Sequence, residues 1–389
     1  MAEEEKRAPD IRFQGFFDDW EQRELGDITS KIGSGKTPRG GNSVYTQNGI
    51  PLLRSQNIYN DRVNIEDIVY ITESMDKEMA NSRVEKNDVL LNITGASIGR
   101  SAVYELSSIA NVNQHVCIIR PIHEIHSYFV QLNLSSPIGQ KQIDLNQAGG
   151  GREGLNFQQI AKMSFNFPTY SEQKKLGVFF KQLDDTIDLH LLKQRQLELL
   201  KQCLIKEIIP QKDSVFPHLR LANFRDPWEQ HQLKDVLKVN SGRDYKHLDE
   251  GNIPVYGTGG YMLSVDGKLS DVDGIGLGRK GTIDKPQYLK APFWTVDTLF
   301  YLTPFPNYDI YFLYTLIQSI NWKSMDESTG VPSLSKSVIE RITLTFPILE
   351  EQRKIGFVFK QLDDTIALHQ QKVAHLKTLK GTLLNKMFI

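Results

Sequence analysis

Several short stretches of this chain carry side chains of the types that do chemistry. Gly35-Lys36-Thr37 has the ending of a phosphate-binding loop. The rule requires a first glycine at position 30, where Ser30 stands, and an apolar strand leading in, which the local sequence lacks. Gly274-Ile275-Gly276-Leu277-Gly278 misses the dinucleotide-binding spacing and sits in no strand–helix–strand context. Glu172-Gln173-Lys174 could be half of a metal-dependent nuclease site. It recurs as Glu351-Gln352-Arg353, and an acidic residue in the first turn of a helix is better explained as a complement to the helix dipole. The adjacent pairs Asp184-Asp185 and Asp363-Asp364 diverge by about 100° around a helix, so they do not converge on one point. They are expected to flank a helix seam and face solvent or a partner subunit. Cys117 and Cys203 are too few for a disulfide framework or a cysteine zinc site and fit a reducing cytosol. No catalytic and no metal-binding residues are assigned.

A second group of side chains suits recognition. Lys36, Arg54, Gln56, Asn57, Arg100, Asn113, Gln114 and Arg152 lie on turns of the first half. Arg243, Lys246, Tyr256, Arg279 and Lys280 lie on turns of the second. Arginine pairs with guanine, and Asn or Gln with adenine, on the major-groove edge of DNA. Tyr45, Tyr256 and Tyr261 could stack or touch backbone. A solvated polar surface accounts equally well for any one of these residues; their gathering on glycine-rich turns favours the set as DNA-binding residues.

The elements that must position these turns form a repeat. Residues 172–201 recur at 351–380, an offset of 179, with 18 identities in 30 positions and an unbroken match from Phe180 to Ile187. An opening motif running from Pro9 and Arg12 through Trp20-Glu21-Gln22 to Asp27 recurs 208 positions later as Pro217, Arg220 and Trp228-Glu229-Gln230 to Asp235. The chain is therefore two copies of one module: opening motif, long variable segment, long helix. In the helices, Leu176, Phe180, Leu183, Ile187, His190 and Leu197 mark one seam, and Ile355, Phe359, Leu362, Ile366, His369 and Leu376 the other. Alternating steps of three and four are those of a coiled coil. About 38 residues give a rod of roughly 57 Å. The two seams most simply pack on each other, with the histidines as a polar layer; an antiparallel pair would place the two globular segments at opposite ends. Pro168 and Pro347 stop the preceding strands, and Ser171 is placed to cap the first helix.

Between these elements, runs such as Val89–Ile93, Val116–Ile119 and Thr298–Leu302 read as strands, with helices near 124–147 and 307–325. The expected fold is mixed α/β (α+β): two globular domains and two long helices with pseudo-two-fold internal repetition. The boundaries are residues 1–9 as a flexible N-terminus, 10–168 as the first domain, 169–210 as the central helix, 217–347 as the second domain and 348–389 as the C-terminal helix. A net charge of −1 argues mildly against a lone, high-affinity nucleic-acid binder but permits one aided by a more basic partner. No apolar run reaches the roughly 18 residues of a membrane span, and the start is too charged for a secretory signal.

With both repeats in view, the chain resembles the specificity subunits of Type I restriction–modification systems. The resemblance covers Trp20 to about Lys380. It rests on the Pro-x-x-x-Glu-Gln lead-in at Pro168 and Pro347, on Phe180–Ile187 with its copy, and on the Thr94–Arg100 turn. The second half has Gly276–Gly281 in place of that turn. The resemblance implies two target recognition domains, each reading half of an asymmetric split sequence in double-stranded DNA. It also implies an antiparallel coiled coil that sets the gap and docks two modification (methyltransferase) subunits. S-adenosylmethionine serves those subunits, while restriction subunits use ATP and Mg²⁺ to translocate and cut DNA. This chain would be non-catalytic and cytoplasmic, with no membrane partner. The alternatives are a coiled-coil adaptor that binds no nucleic acid and a self-contained DNA methyltransferase or nuclease.

Overall fold

A computed structural model describes residues 8–59, 61–147, 154–211, 214–326 and 328–389. The chain divides into two compact units, one containing residues up to His190 together with Lys372–Ile389, the other Leu191–Gln371. Both boundaries fall inside long helices, so each unit contains parts of both.

In the first unit the order is β1 (Glu21–Glu24), β2 (Thr29–Ser34), β3 (Ile50–Leu53), β4 (Val69–Ile71), α1 (Glu73–Glu78), β5 (Arg83–Val84), β6 (Val89–Asn92), β7 (Ser101–Val103), β8 (Ala110–Val112) and β9 (Val116–Pro121). Then follow α2 (Ser127–Ser135), α3 (Pro137–Gln147), α4 (Phe157–Ala161), β10 (Ser164–Phe167) and the long α5 (Tyr170–Ile208). One four-stranded sheet runs β2-β9-β6-β7; the other, β4-β3-β8-β5, contains a parallel β3–β8 pair. β1 pairs antiparallel with β10, bringing the opening motif beside the strand that feeds the helix.

The second unit repeats the plan with β11 (Glu229–Gln232), α6 (Leu233–Val236), β12 (Leu237–Ser241), β13 (Glu250–Gly257), β14 (Gly260–Val265), β15 (Gly274–Gly278), β16 (Gln287–Leu289), β17 (Trp294–Thr295) and β18 (Leu299–Pro304). It continues through α7 (Ile310–Ser319), α8 (Lys336–Arg341), β19 (Thr343–Phe346) and the long α9 (Leu349–Met387). The sheets β12-β18-β15-β16 and β14-β13-β17 match those of the first unit, including a parallel β13–β17 pair, and β11 pairs with β19.

The helix lead-in motif has a specific structural job in each unit. Glu172 is buried and takes two hydrogen bonds from the Arg12 guanidinium, both 2.7 Å. Glu351 is buried and takes two from Arg220, at 2.9 and 2.8 Å. The glutamates do lie in the first helical turn, but their main partner is a bidentate arginine from the opening motif rather than the helix dipole. The next residue acts as a bridge. Gln173 donates to the Pro168 carbonyl (2.8 Å) and accepts from the His126 backbone N–H at the start of α2 (3.0 Å). Gln352 does the same with Pro347 (2.8 Å) and Asp309 at the start of α7 (3.0 Å). Ser171 lies inside the first turn, not before it; the Thr169 carbonyl accepts from the N–H groups of Glu172 and Gln173.

Gly177 and Gly356 sit in helix interiors, where glycine normally costs about 1 kcal/mol relative to alanine. Close packing against the starts of α2 and α7 explains both: a Cβ at Gly177 would lie 2.7 Å from Nδ1 of His126, and one at Gly356 would press on Asp309 and Phe312. Gly356→Ala is therefore expected to destabilise the protein by about 1–3 kcal/mol instead of stabilising it. Denaturant unfolding of the variant beside wild type checks the sign.

The helices run antiparallel within each unit. In the first, Phe180 of α5 meets Phe388 just after α9, while Asp184, one turn later in α5, meets Lys380 earlier in α9 (2.7 and 2.9 Å). In the second, Lys201 pairs with Asp363 at 2.6 Å, the same contact at the repeat offset of 179, and Ile208 shares a cavity wall with Ile355. Asp184 and Asp363 thus serve the helix pairing instead of facing solvent. The roughly 100° divergence leaves Asp185 and Asp364 on the outside, bonded to Lys181 and Lys360. Lys380 also reaches Asp61, and burial, followed by the Asp61 charge, pushes the Asp184 carboxyl up to about 6. Leu176, Phe180, Ile187, Ile355, Phe359 and Ile366 are buried; Leu183, His190, Leu197, Leu362, His369 and Leu376 are half-buried.

The two cores are built alike. In the first, Trp20, Phe129, Leu176 and Phe180 pack with Leu384, Met387 and Phe388 from the end of α9. In the second, Trp228, Phe312, Ile355 and Phe359 pack with Leu204, Ile205 and Ile208 from the end of α5. Two of these pairs, Ile205 with Leu384 and Ile208 with Met387, are related by the offset of 179.

Candidate nucleic-acid interface

In each unit, three loops meet at one end of the four-stranded sheet. In the first unit they are the segment after β2 (Gly35-Lys36-Thr37), the turn between β6 and β7 (Thr94–Arg100), and the turn into β9 (Asn113-Gln114-His115). A chain of hydrogen bonds joins them: the Thr37 hydroxyl donates to Gln114 Oε1, Gln114 Nε2 contacts His115 Nε2 at 3.0 Å, and His115 Nδ1 lies 2.5 Å from Thr94 Oγ1. Two local features hold the loops. Gly35 passes so close to the Val112 carbonyl that any side chain would collide with it. Strand β2 does lead into Gly35, though its sequence TSKIGS is too polar to have read as an apolar strand, and no α-helix follows it directly as a phosphate-binding loop requires. Asn92, fully buried at the end of β6, donates to the Ser55 carbonyl (2.9 Å) and to Ser97 Oγ (3.1 Å), pinning the glycine turn.

The second unit has the same backbone pattern with other side chains. The Ile93 N–H donates to the His115 carbonyl at 3.0 Å, and the Arg279 N–H to the Thr298 carbonyl at 2.8 Å. Leu155 N–H donates to Ile93 at 2.9 Å, and Leu334 N–H to Arg279 at 3.0 Å. The bridge Thr94–Gly154 reappears as Lys280–Ser333. Gly242, after β12, crowds the Thr295 and Val296 carbonyls as Gly35 crowds Val112. An open cleft of about 330 Å³ lies here, lined by Ser241, Arg279, Lys280, Phe300, Ser333 and Lys336. The Arg279 guanidinium stands 5.7 Å from the Phe300 ring centroid. Where the first unit has its glycine turn, the second has Gly278 packed on the Thr282 backbone.

The thirteen recognition residues picked from sequence fall into three groups. Lys36, Arg100, Gln114, Arg243, Lys246, Arg279 and Lys280 are exposed, and all but Lys246 lie on the converging loops; Lys246 is three residues further on. Tyr256 is half-buried on β13, 6.4 Å from Tyr261 across the hairpin. Asn57 and Asn113 turn inward. Asn57 is 1% exposed, with its amide bonded to the carbonyls of Asn64 and Asp67 and to the Arg54 N–H. Asn113 is 8% exposed and accepts from the His115 N–H. Both therefore hold loops instead of reaching base edges. Arg54 and Gln56 bond to Asp67. Arg152 lies outside the described residues. Ser241, Ser333 and Lys336 carried no signal in the sequence, and Thr37 and Thr94, though within noted motifs, were not picked for recognition; only the structure brings their separate segments together. No group of three or more metal-ligating side chains is placed to hold an ion among the described residues.

A family model described as the Type I restriction modification DNA specificity domain matches residues 17–199 and 225–378. The chain belongs to this family. Each match covers the later part of one opening motif, one variable segment and part of one long helix. The MjaX specificity subunit of Methanocaldococcus jannaschii is 22% identical over 415 residues, covering 95% of this chain and 92% of that protein. The EcoBI specificity subunit of Escherichia coli is 28% identical over 131 residues, 33% of this chain and 27% of the relative. The crystal structure of a Type I system S subunit from M. genitalium shares the fold, with a TM-score of 0.75 at 17% identity, over 98% of this chain and 99% of that one. The three-loop sites at the sheet ends thus belong to the two recognition halves of a Type I specificity subunit.

Proposed function

We propose that this specificity subunit reads one asymmetric, two-part sequence in double-stranded DNA, each unit reading one half, and supplies no catalysis itself. The observation that carries the reading is the pair of sheet-end sites: one backbone framework, built twice, presenting Lys36, Arg100 and Gln114 in one unit and Arg243, Arg279 and Lys280 in the other. A conserved frame with exchanged side chains suits two readers of different sequences; a plain adaptor has no use for it. The long helices would set the gap between half-sites, and residues 10–168 and 217–347 would be the readers.

The helices also offer a surface for partners. Val178, Leu189 and Leu200 are exposed along α5, eleven residues apart, and Phe357, Leu368 and Leu379 repeat them on α9. Eleven residues are close to three helical turns, so each set forms one apolar stripe. Two equivalent stripes suit two copies of one partner, which we take to be the modification subunits. Restriction subunits would join that core. S-adenosylmethionine, ATP and Mg²⁺ belong on those partners, and the complex would work in the cytoplasm. Among the described residues, no helix is long and apolar enough to cross a membrane. Replacing both Leu189 and Leu368 by Arg is expected to abolish co-purification with the modification subunit while leaving thermal unfolding within a few degrees of wild type. Retained association would overturn the docking assignment.

A further inference from the structure

We infer that the apex of the turn into β9 and β18 is a position that determines specificity, held by Gln114 in the first unit and Asp297 in the second, with Gln114 selecting adenine and Asp297 selecting cytosine. The inference rests on the DNA-reading role proposed above and assigns bases within it. The two residues are equivalent by backbone pattern. Asn113 N–H donates to the Leu53 carbonyl at 3.0 Å, as Val296 N–H does to Tyr256 at 3.0 Å. Val116 N–H closes the turn onto Asn113 at 3.3 Å, and Leu299 N–H onto Val296 at 3.0 Å. Gln114 and Asp297 are the exposed residues of their turns, flanked by buried or half-buried neighbours. They are 183 positions apart, an offset shared by neither sequence repeat.

Each side chain leaves a defined set of groups free. A glutamine amide has two N–H donors and two oxygen lone pairs. Thr37 takes one lone pair of Gln114, and His115 lies against Nε2, which uses one N–H. One acceptor and one donor remain, held in a fixed direction. Adenine's major-groove edge offers the complement, an N6 donor beside an N7 acceptor.

Asp297 is different in kind. Its carboxylate makes no hydrogen bond or ion pair among the described residues. An ionised carboxylate only accepts. Guanine shows it two acceptors, thymine an acceptor and a methyl group, and adenine an acceptor beside its donor; cytosine shows a donor alone. Phosphate repulsion would ordinarily oppose an acid at this place. Here the loops on either side carry cations: Arg243 N–H bonds to the Thr295 carbonyl (2.8 Å), and Arg279 and Lys280 N–H bond to that of Thr298 (2.8 and 3.3 Å). The acid therefore sits between loops that carry Arg243, Arg279 and Lys280, where it can reject three bases while those residues hold the DNA backbone.

The test uses near-isosteric exchanges that disturb little at an exposed apex. The full chain, Gln114→Glu and Asp297→Asn are each co-expressed with the partner modification subunit in a host free of DNA methylation, and the methylated motif is read by sequencing. Gln114→Glu is expected to change one position of one half-site from A toward C, and Asp297→Asn one position of the other from C toward A. Each preference should shift by at least about tenfold, with all other positions unchanged. Unchanged base preferences in both variants would overturn the inference. So would uniform loss of methylation with unaltered thermal unfolding, which would make these residues contacts for affinity alone. A wild-type chain that directs no motif would refute the DNA-reading role itself, before any variant is compared.

Discussion

Arg220→Met is expected to destabilise the second unit by about 3–5 kcal/mol, the cost of leaving a buried charge without its partner. Glu351 is 0% exposed and gives both carboxylate oxygens to the Arg220 guanidinium. The pair lines a small apolar cavity of about 130 Å³ with Trp228, Ile208 and Ile355, so water is poorly placed to substitute. Arg12→Met should act likewise on Glu172 in the first unit. If the glutamates served only the helix dipole, removing either arginine would cost less than about 1 kcal/mol. Urea unfolding followed by tryptophan fluorescence separates the two accounts. The double variant Arg220→Met/Glu351→Leu should regain most of the loss, since an apolar pair of similar volume often replaces a buried ion pair without penalty.

The second large effect concerns sequence choice. Exchanging residues 10–168 for the matching segment of a family member with another target is expected to replace one half of the methylated motif completely and leave the other half unchanged. The physical ground is that each sheet-end site is assembled within its own unit, from loops joined to one another by hydrogen bonds. The incoming segment must still supply aromatic partners for the end of α9, because Phe129 stacks on Phe388 at 5.4 Å and Trp20 meets it at 6.3 Å. A donor lacking those aromatics should fail to fold, which circular dichroism would reveal. A folded chimera in which both halves of the motif change would contradict independent readers.

The repeated frame was legible because its signals are local and duplicated. Heptad spacing marked the seams, and prolines marked the strand ends at Phe167 and Phe346. The Arg12–Glu172 pair was half visible: the arginine recurs at offset 208 and the glutamate at offset 179. Their meeting was hidden because 160 residues separate them, and helix polarity offered a nearer explanation. The recognition residues were harder. Residue type alone cannot separate Gln114, exposed on a turn, from Asn57, which closes a loop from inside. Asp297 escaped notice because an acid looks out of place near phosphate and because insertions had shifted its offset from Gln114. Only the hydrogen-bond pattern of the sheet aligns the two.

The most direct test of the central claim is the pattern of N6-methyladenine laid down when this chain is co-expressed with the modification subunit proposed as its partner in a methylation-free host. A single asymmetric split motif, absent when this chain is omitted, is the predicted result. No new methylation from a soluble, associated pair of proteins would contradict the account and favour an adaptor that reads no DNA. Methylation by this chain alone would contradict it as well, by placing an active site within these two units.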